Sequence, residues 1–149
     1  MNNGVTVDAS QVLRMFSELN SRQQKNVYKN ALRKAGRILQ KETKTQLRSV
    51  VGKTINHKNR WDGKTLGSGI KLKVDKKATE AKVHIMGVFR LKFFELGTTT
   101  RRLRKNGANR GRMNASHFFR TAKDNKERAI FDNINQMVEE SITRISKRR

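Results

Sequence analysis

One stretch of alternating apolar and polar residues lies between two long stretches with apolar residues at helical spacing, and this order constrains the fold most. Alternation with period two is typical of strands that bury one face. We therefore expect a hairpin of strands 70–74 and 81–85 in one α+β domain spanning residues 1–149. The alternating apolar positions are Ile70, Leu72, Val74, Ala81, Val83 and Ile85.

The stretch before the hairpin predicts a long helix capped by Ser21 and ending near Arg48. A shorter amphipathic helix is predicted ahead of it, over residues 8–19. The stretch after the hairpin predicts a long final helix with Ser116 as its N-cap. The apolar face of the first long helix is formed by Val27, Tyr28, Ala31, Leu32, Ala35, Ile38 and Leu39. That of the last is formed by Phe119, Ile130, Ile134, Met137, Val138, Ile142 and Ile145.

Three other segments have a weaker pattern. Val88–Leu96 fits a third strand, because its aromatic residues alternate, and it also fits a short buried helix, so both alternatives stay open. Residues 52–67 and 97–114 are predicted as long basic loops. The second of these has no acidic residue and cannot build a core, so we expect it to be mobile until it is bound. Its cations are Arg101, Arg102, Arg104, Lys105, Arg110 and Arg112.

The chain is strongly basic, with 35 Lys and Arg against 12 Asp and Glu in 149 residues, a formal charge of +23. So large a surplus repels itself in a compact state, and nucleic acid or acidic faces of neighbouring subunits could offset it. Four cations also follow one another at i, i+4 spacing along the first long helix. They form either a solvated face or a contact with a polyanion or partner subunit. These residues are Lys29, Arg33, Arg37 and Lys41.

Catalytic and cofactor motifs are weak in this sequence. Zero Cys excludes disulfides, thiolate catalysis and zinc sites built on Cys. Two Gly-Lys-Thr triplets lack the glycine five residues earlier that a phosphate-binding loop requires, because Leu47 and Lys58 stand there. The three His have no ligand partners at metal-binding spacing. We expect a protein that is not an enzyme, with no cofactor, no metal, no signal peptide and no membrane span.

A basic loop around Trp61 offers a second function. Lys58, Arg60 and Lys64 could contact phosphates while the ring stacks on a base. This pattern favours a non-specific nucleic-acid-binding protein as the alternative to a structural role. Trp61 could also simply anchor its loop, and we favour that interpretation.

Three short segments, in a fixed order, resemble a family of virion proteins. Leu66-Gly-Ser-Gly-Ile70 is similar to that family's lead into its first strand, with Gly69 where serine is usual. Phe93-Phe-Glu-Leu-Gly-Thr98 is similar to its aromatic–Glu–aromatic–Gly–Thr signature. Ala115-Ser-His-Phe-Phe-Arg-Thr-Ala122 is similar to the start of its final helix, without the two usual prolines, so we expect a looser or earlier helix start than in members of that family. The family is the head–tail joining or tail-completion family of lambdoid-type tailed bacteriophages. The motif and interface candidates are Leu66, Ile70, Phe94, Glu95, Gly97, Thr98, Phe118, Phe119, Arg120 and Ala122.

The resemblance implies a non-enzymatic structural protein, made in the host cytoplasm and located in the neck or tail of the virion. It implies a homo-oligomeric ring, expected to be hexameric, with other neck and tail-tube proteins as partners. A ring of head-to-tail contacts needs two complementary surfaces, which the long helices and either the hairpin edge or residues 97–114 could supply. The cations could contact packaged DNA or acidic neck proteins. We favour acidic proteins for most of them, because tight phosphate binding would slow DNA passage.

Two residues of the second segment have specific expected roles. Glu95 is a lone acid between Phe94 and Leu96 and should be paired, either within the subunit with a nearby Arg or Lys or across an interface. We favour the pairing within the subunit. Gly97 is expected to permit a backbone turn that a side chain would hinder.

Overall fold

The chain folds as a long helix, a two-stranded sheet, a short helix and a second long helix. The computed structural model describes residue 17 and residues 19–148, so most of the short helix predicted over 8–19 lies outside the described residues. The α+β class predicted from the sequence is confirmed. The elements are α1 (Ser21–Val51), two 3-10 helices (Gly52–Asn56 and Gly67–Gly69), β1 (Lys71–Val74), β2 (Ala81–His84), α2 (Leu91–Leu96) and α3 (Phe118–Ser146).

Helix α1 differs from its prediction at both ends. Its N-cap is Asn20 instead of Ser21, because Asn20 accepts from the Gln23 backbone while the Gln23 side chain accepts from the Asn20 backbone, a capping box. It continues beyond Arg48 to Val51. It ends there because Gly52 adopts φ +57°, a left-handed conformation that only glycine adopts readily.

The two long helices pack antiparallel. Val27 near the start of α1 clusters with Ile142 near the end of α3. Further along α1, the Glu42 carboxylate lies 4.0 Å from the ammonium of Lys126, near the start of α3. Later residues of α1 therefore contact earlier residues of α3, so the start of α3 lies beside the end of α1.

The β-hairpin lies against α1. Its strands pair Leu72 with Val83 and Val74 with Ala81 on one half-buried face, so the predicted hairpin is confirmed with slightly shorter strands. The side chain of Leu72 occupies the space where a Cβ on Gly36 would lie, so the small residue lets the hairpin approach the helix closely.

The segment 88–96 contains a helix and no third strand. Leu91 and Glu95, four residues apart, are both buried, and Phe94 packs against the same core. That i, i+3, i+4 spacing is helical, and it resolves the alternative that the crowded aromatic residues left open.

The main core lies where α2 and the start of α3 meet the end of α1. The segment 52–67, which was predicted as a loop, contributes Ile55 and Leu66 to this core and includes a 3-10 helix. These apolar residues hold the segment to the body of the protein. The buried cluster consists of Leu47, Ile55, Leu66, Ile70, Val88, Leu91 and Phe118.

Candidate functional site

The three segments that carry the family resemblance meet at one place, which we call the joint: residues 66–70, 93–98 and 115–122. Leu66, Ile70 and Phe118 belong to the same buried cluster, and Phe94 and Phe119 pack against it. Ala122 is fully buried and Arg120 is exposed. The candidates from all three segments are therefore brought together, with Arg120 at the surface of the joint.

Glu95 caps the start of α3 from a different helix. One of its carboxylate oxygens accepts from the backbone N–H of Phe119 at 2.8 Å and the other from that of Arg120 at 3.2 Å. These are two of the N–H groups that a helix start leaves without a partner, and the negative charge also suits the helix dipole. Pairing within the subunit is confirmed, but the predicted Arg or Lys partner is wrong.

Ser116 is not the N-cap that the sequence predicted. His117 takes the cap position in a left-handed conformation, φ +50°, and makes no capping hydrogen bond with its side chain. The Ser116 hydroxyl instead donates to the Phe94 carbonyl at 2.6 Å. The His117 N–H donates to the Glu95 carbonyl at 3.2 Å. Helix α3 begins at Phe118, and its start is held by hydrogen bonds to α2.

Gly97 has the role expected of it. Its φ is +72°, and a Cβ there would lie 2.7 Å from the Met113 carbonyl oxygen and 2.8 Å from the Ala115 nitrogen. Both positions are backbone, so neither can move aside easily. Thr98 continues the contact, because its N–H donates to the Met113 carbonyl and its hydroxyl accepts from the Met113 N–H.

Residues 98–113 fold back on themselves as an irregular hairpin, which we call the basic arm. The Arg101 N–H donates to the Gly111 carbonyl at 3.0 Å, and the Arg110 N–H donates to the Arg101 carbonyl at 2.7 Å. Leu103 and Ala108 pair near the tip. The segment predicted as a loop thus has an ordered backbone, and hydrogen bonds along it replace a hydrophobic core. The exposed cations of the basic arm are Arg101, Arg102, Arg104, Lys105, Arg110 and Arg112.

The basic face of α1 is a separate surface. Arg33, Arg37 and Lys41 are exposed, and Lys29 is half-buried. Within the described residues no hydrogen bond or ion pair links this face to the basic arm. This face therefore adds a second set of exposed cations to that of the basic arm.

Trp61 does not anchor its loop, and that interpretation is wrong. Its side chain is 96% exposed. The Trp61 loop, residues 57–65, is nevertheless ordered. The Asn59 carboxamide oxygen accepts from the backbone N–H of Trp61 at 2.7 Å, and the Asp62 carboxylate accepts from the backbone N–H of Lys64 at 2.9 Å. The loop thus displays the ring on a fixed turn.

Arg90, which the sequence reasoning missed, ties this loop to the start of α2. Its guanidinium donates to the Lys64 carbonyl at 3.3 Å and lies 3.9 Å from the Asp62 carboxylate. A cation inside an otherwise apolar stretch was the available signal. Its partners could not be named, because they lie 26 and 28 positions away in the chain.

Three further kinds of site were weak in the sequence: a phosphate-binding loop, a metal site and a membrane-spanning helix. The Gly-Lys-Thr triplet at Gly52 begins the five-residue 3-10 helix Gly52–Asn56 directly after the C-terminal end of α1, whose dipole is unfavourable for a phosphate. Among residues 17 and 19–148, no three His, Asp or Glu side chains lie close enough to hold a metal ion. None of the described helices has an apolar stretch long enough to cross a lipid bilayer.

Three comparisons place the chain against known proteins. No protein-family model, no curated protein and no solved structure matches it. The functional interpretation therefore depends on the joint, the basic arm and the Trp61 loop, together with the resemblance of the three segments.

Proposed function

We propose that this protein is a non-enzymatic structural subunit of a tailed-bacteriophage virion, acting in head–tail joining or tail completion. In this proposal it forms a ring, with six copies as the expected number, at the neck or the top of the tail. It would be made in the host cytoplasm and would contact other neck and tail-tube proteins. Packaged DNA is a further possible contact of the ring.

The meeting of the three family-like segments at the joint is the observation that carries the proposal. Glu95 of the second segment caps the helix of the third, and Gly97 leaves room for the backbone at Met113 and Ala115. Leu66 and Ile70 of the first segment share a core with Phe118 of the third. Motifs that form one connected unit fit a single inherited pattern better than three separate coincidences.

Charge and apolar exposure support assembly with other copies. A head-to-tail ring needs two different complementary surfaces on each subunit. The basic arm supplies a positive one. The outer side of α3 carries Asp124 and Glu127, both exposed, and Phe131, which is 61% exposed. Their i, i+3, i+7 spacing places all three on one face of the helix.

Negative-stain images of the purified chain, alone and mixed with tail tubes of the same phage, test the proposal. We expect closed multi-copy rings, either free or seated on the tube end. Glu127→Lys should reduce ring formation because it places a cation where the neighbouring arm would lie. Glu80→Lys, on the exposed hairpin, is the matched control and should assemble normally. Solitary particles under both conditions would contradict the proposal.

The exposure of every cation on the basic arm favours a second candidate, a non-specific nucleic-acid-binding protein. That protein would be a monomer or dimer whose DNA affinity falls steeply with salt, because each neutralised phosphate adds to the salt dependence. Changing Arg101, Arg102 and Arg104 together to Gln separates the two. Lost DNA affinity with an unchanged particle mass favours the second candidate, and lost ring formation or lost docking to neck or tail proteins favours the first.

A further inference from the structure

A nearly fully exposed tryptophan on an ordered turn needs a physical reason. Tryptophan is ordinarily among the most buried side chains on average, and its ring gains free energy when it leaves water. At 96% exposure, Trp61 gains almost none of this within its own chain. Its position favours contact with another molecule.

Hydrogen bonds hold the backbone of the Trp61 loop in a defined turn. Besides the two side-chain contacts of Asn59 and Asp62, the Asn59 N–H donates to the Lys64 carbonyl at 3.0 Å, and the Gly63 N–H donates to the Asn59 carbonyl at 2.9 Å. Arg90 fixes the same turn to α2. Because the backbone is already ordered, binding through the ring loses little conformational entropy.

The surroundings of the ring indicate the chemistry of its partner. Lys58, Arg60 and Lys64 are all exposed, while the one acid of the loop, Asp62, is occupied by the Lys64 N–H and Arg90. A tryptophan that anchors a protein interface normally lies among contacts that exclude water from it. Trp61 lies between the exposed polar residues Arg60 and Asp62 in the sequence, and its ring is open for stacking.

We infer that the Trp61 loop is a binding site for single-stranded nucleic acid. Trp61 stacks on one unpaired base, and Lys58, Arg60 and Lys64 contact the phosphates on either side. Stacking of this kind is tolerant of sequence, because every base has a π face. Duplex DNA binds more weakly here, since its bases are already stacked on each other. The inference applies equally to a ring subunit and to a monomer, so its failure leaves the proposed ring untouched.

Trp61 is the only tryptophan in the chain, so its fluorescence reports on this loop directly. The full-length protein is titrated with an oligothymidylate of about 16 nucleotides, in the size range of single-strand sites. We expect saturable quenching of the tryptophan emission. A duplex of the same length should produce weaker binding and little quenching.

Substitutions then separate stacking from charge, with a labelled oligonucleotide and fluorescence anisotropy as the readout. Trp61→Ala should weaken binding by roughly fivefold to 150-fold, the range seen for loss of one stacked base, and Trp61→Phe should retain most of the affinity. Phe89→Ala, at another exposed aromatic residue, is the control and should bind normally. Arg60→Gln should reduce the salt slope by about 0.7, the contribution of one phosphate contact on a single strand.

Three results would overturn the inference. Unchanged affinity of Trp61→Ala, or binding without quenching, would place the strand elsewhere. Equal binding and quenching with duplex would exclude stacking on an unpaired base. Loss of ring assembly or protein docking in Trp61→Ala, with oligonucleotide affinity intact, would assign the loop to a protein partner. Circular dichroism verifies that each variant is folded, and mass photometry measures assembly independently.

Discussion

The joint and the basic arm are neighbours in sequence, yet they use their polar groups in opposite ways. At the joint, the Glu95 carboxylate and the Ser116 hydroxyl are satisfied within the chain, and Leu66, Ile70 and Phe118 are buried. In the basic arm, hydrogen bonds order the backbone while six cations face solvent, and no acid occurs between Glu95 and Asp124. The joint therefore serves the fold, and the basic arm is left free to serve a partner.

The largest expected difference between the two regions lies in their glycines. Gly97→Ala combines an unfavourable φ of +72° with a clash against the Met113 and Ala115 backbone, so it should cost about 3 kcal/mol or more of unfolding free energy. Gly111→Ala is the matched control in the basic arm. Its φ is +73° but open space surrounds the new Cβ, and it should cost about 1 kcal/mol. Urea unfolding measures both, and equal losses would contradict the packing described at the joint.

Glu95→Ala should have the next largest effect. It leaves the Phe119 and Arg120 N–H groups without their carboxylate, and it should cost about 2 kcal/mol. Glu80→Ala is the control, because the Glu80 side chain forms an exposed ion pair with Lys82 and the substitution leaves the Glu80 backbone hydrogen bonds in place, so it should change stability by less than about 0.5 kcal/mol. Thermal unfolding by circular dichroism measures the two variants. A loss at Glu95 no greater than that at Glu80 would mean that the cap does not stabilise α3.

Asp75, like Glu95, is a carboxylate that accepts hydrogen bonds from backbone N–H groups, but it lies at an exposed turn. Hydrogen bonds from the Glu80 N–H and then the Thr79 hydroxyl hold the pKa of Asp75 below its ordinary value. A carboxyl whose pKa is lowered by folding stabilises the protein above its unfolded pKa, and this contribution is lost as pH falls through the folded pKa. Asp75→Asn should therefore flatten the loss of stability on acidification, with a smaller effect at neutral pH than Glu95→Ala. Urea unfolding as a function of pH measures this, and an unchanged pH profile would contradict it.

The smallest effect on stability is expected in the basic arm. Changing Arg101, Arg102 and Arg104 to Gln should alter the unfolding free energy by no more than about 0.5 kcal/mol, because all three side chains are exposed. Under the proposed function, the same variant should also lose binding to neighbouring copies or to acidic neck proteins. Urea unfolding and a pull-down with neck or tail-tube proteins measure the two outcomes separately. A destabilised variant would mean that these cations belong to the fold.

Local sequence patterns predicted the elements with regular periodicity. The alternation around Leu72 and Val83 and the apolar face through Val27 and Ala31 indicated the hairpin and α1, because each pattern repeats with the period of its own structure. The need for glycine at position 97 was also evident from its place in a motif. These features depend on neighbours within a few residues.

The sequence did not predict features that depend on residues far apart in the chain. The partner of Glu95 is the backbone of α3, 24 residues later. Because nearly every residue has a backbone N–H, residue types alone do not indicate which one binds the carboxylate. Ser116 is a good capping residue by type, but α2 takes its hydroxyl. The exposure of Trp61 was missed for a related reason, since apolar character alone favoured burial and the polar turn around it decides otherwise.

Mass photometry of the purified full-length protein, across a series of salt concentrations, tests the central claim most directly. The protein should form one discrete multi-copy particle, expected at six copies, and it should dissociate as salt screens the proposed contact of the basic arm with Asp124 and Glu127 of a neighbouring copy. Addition of tail tubes should shift the particle to a tube-bound form. A single-copy mass at every salt concentration, with and without tubes, would contradict the claim.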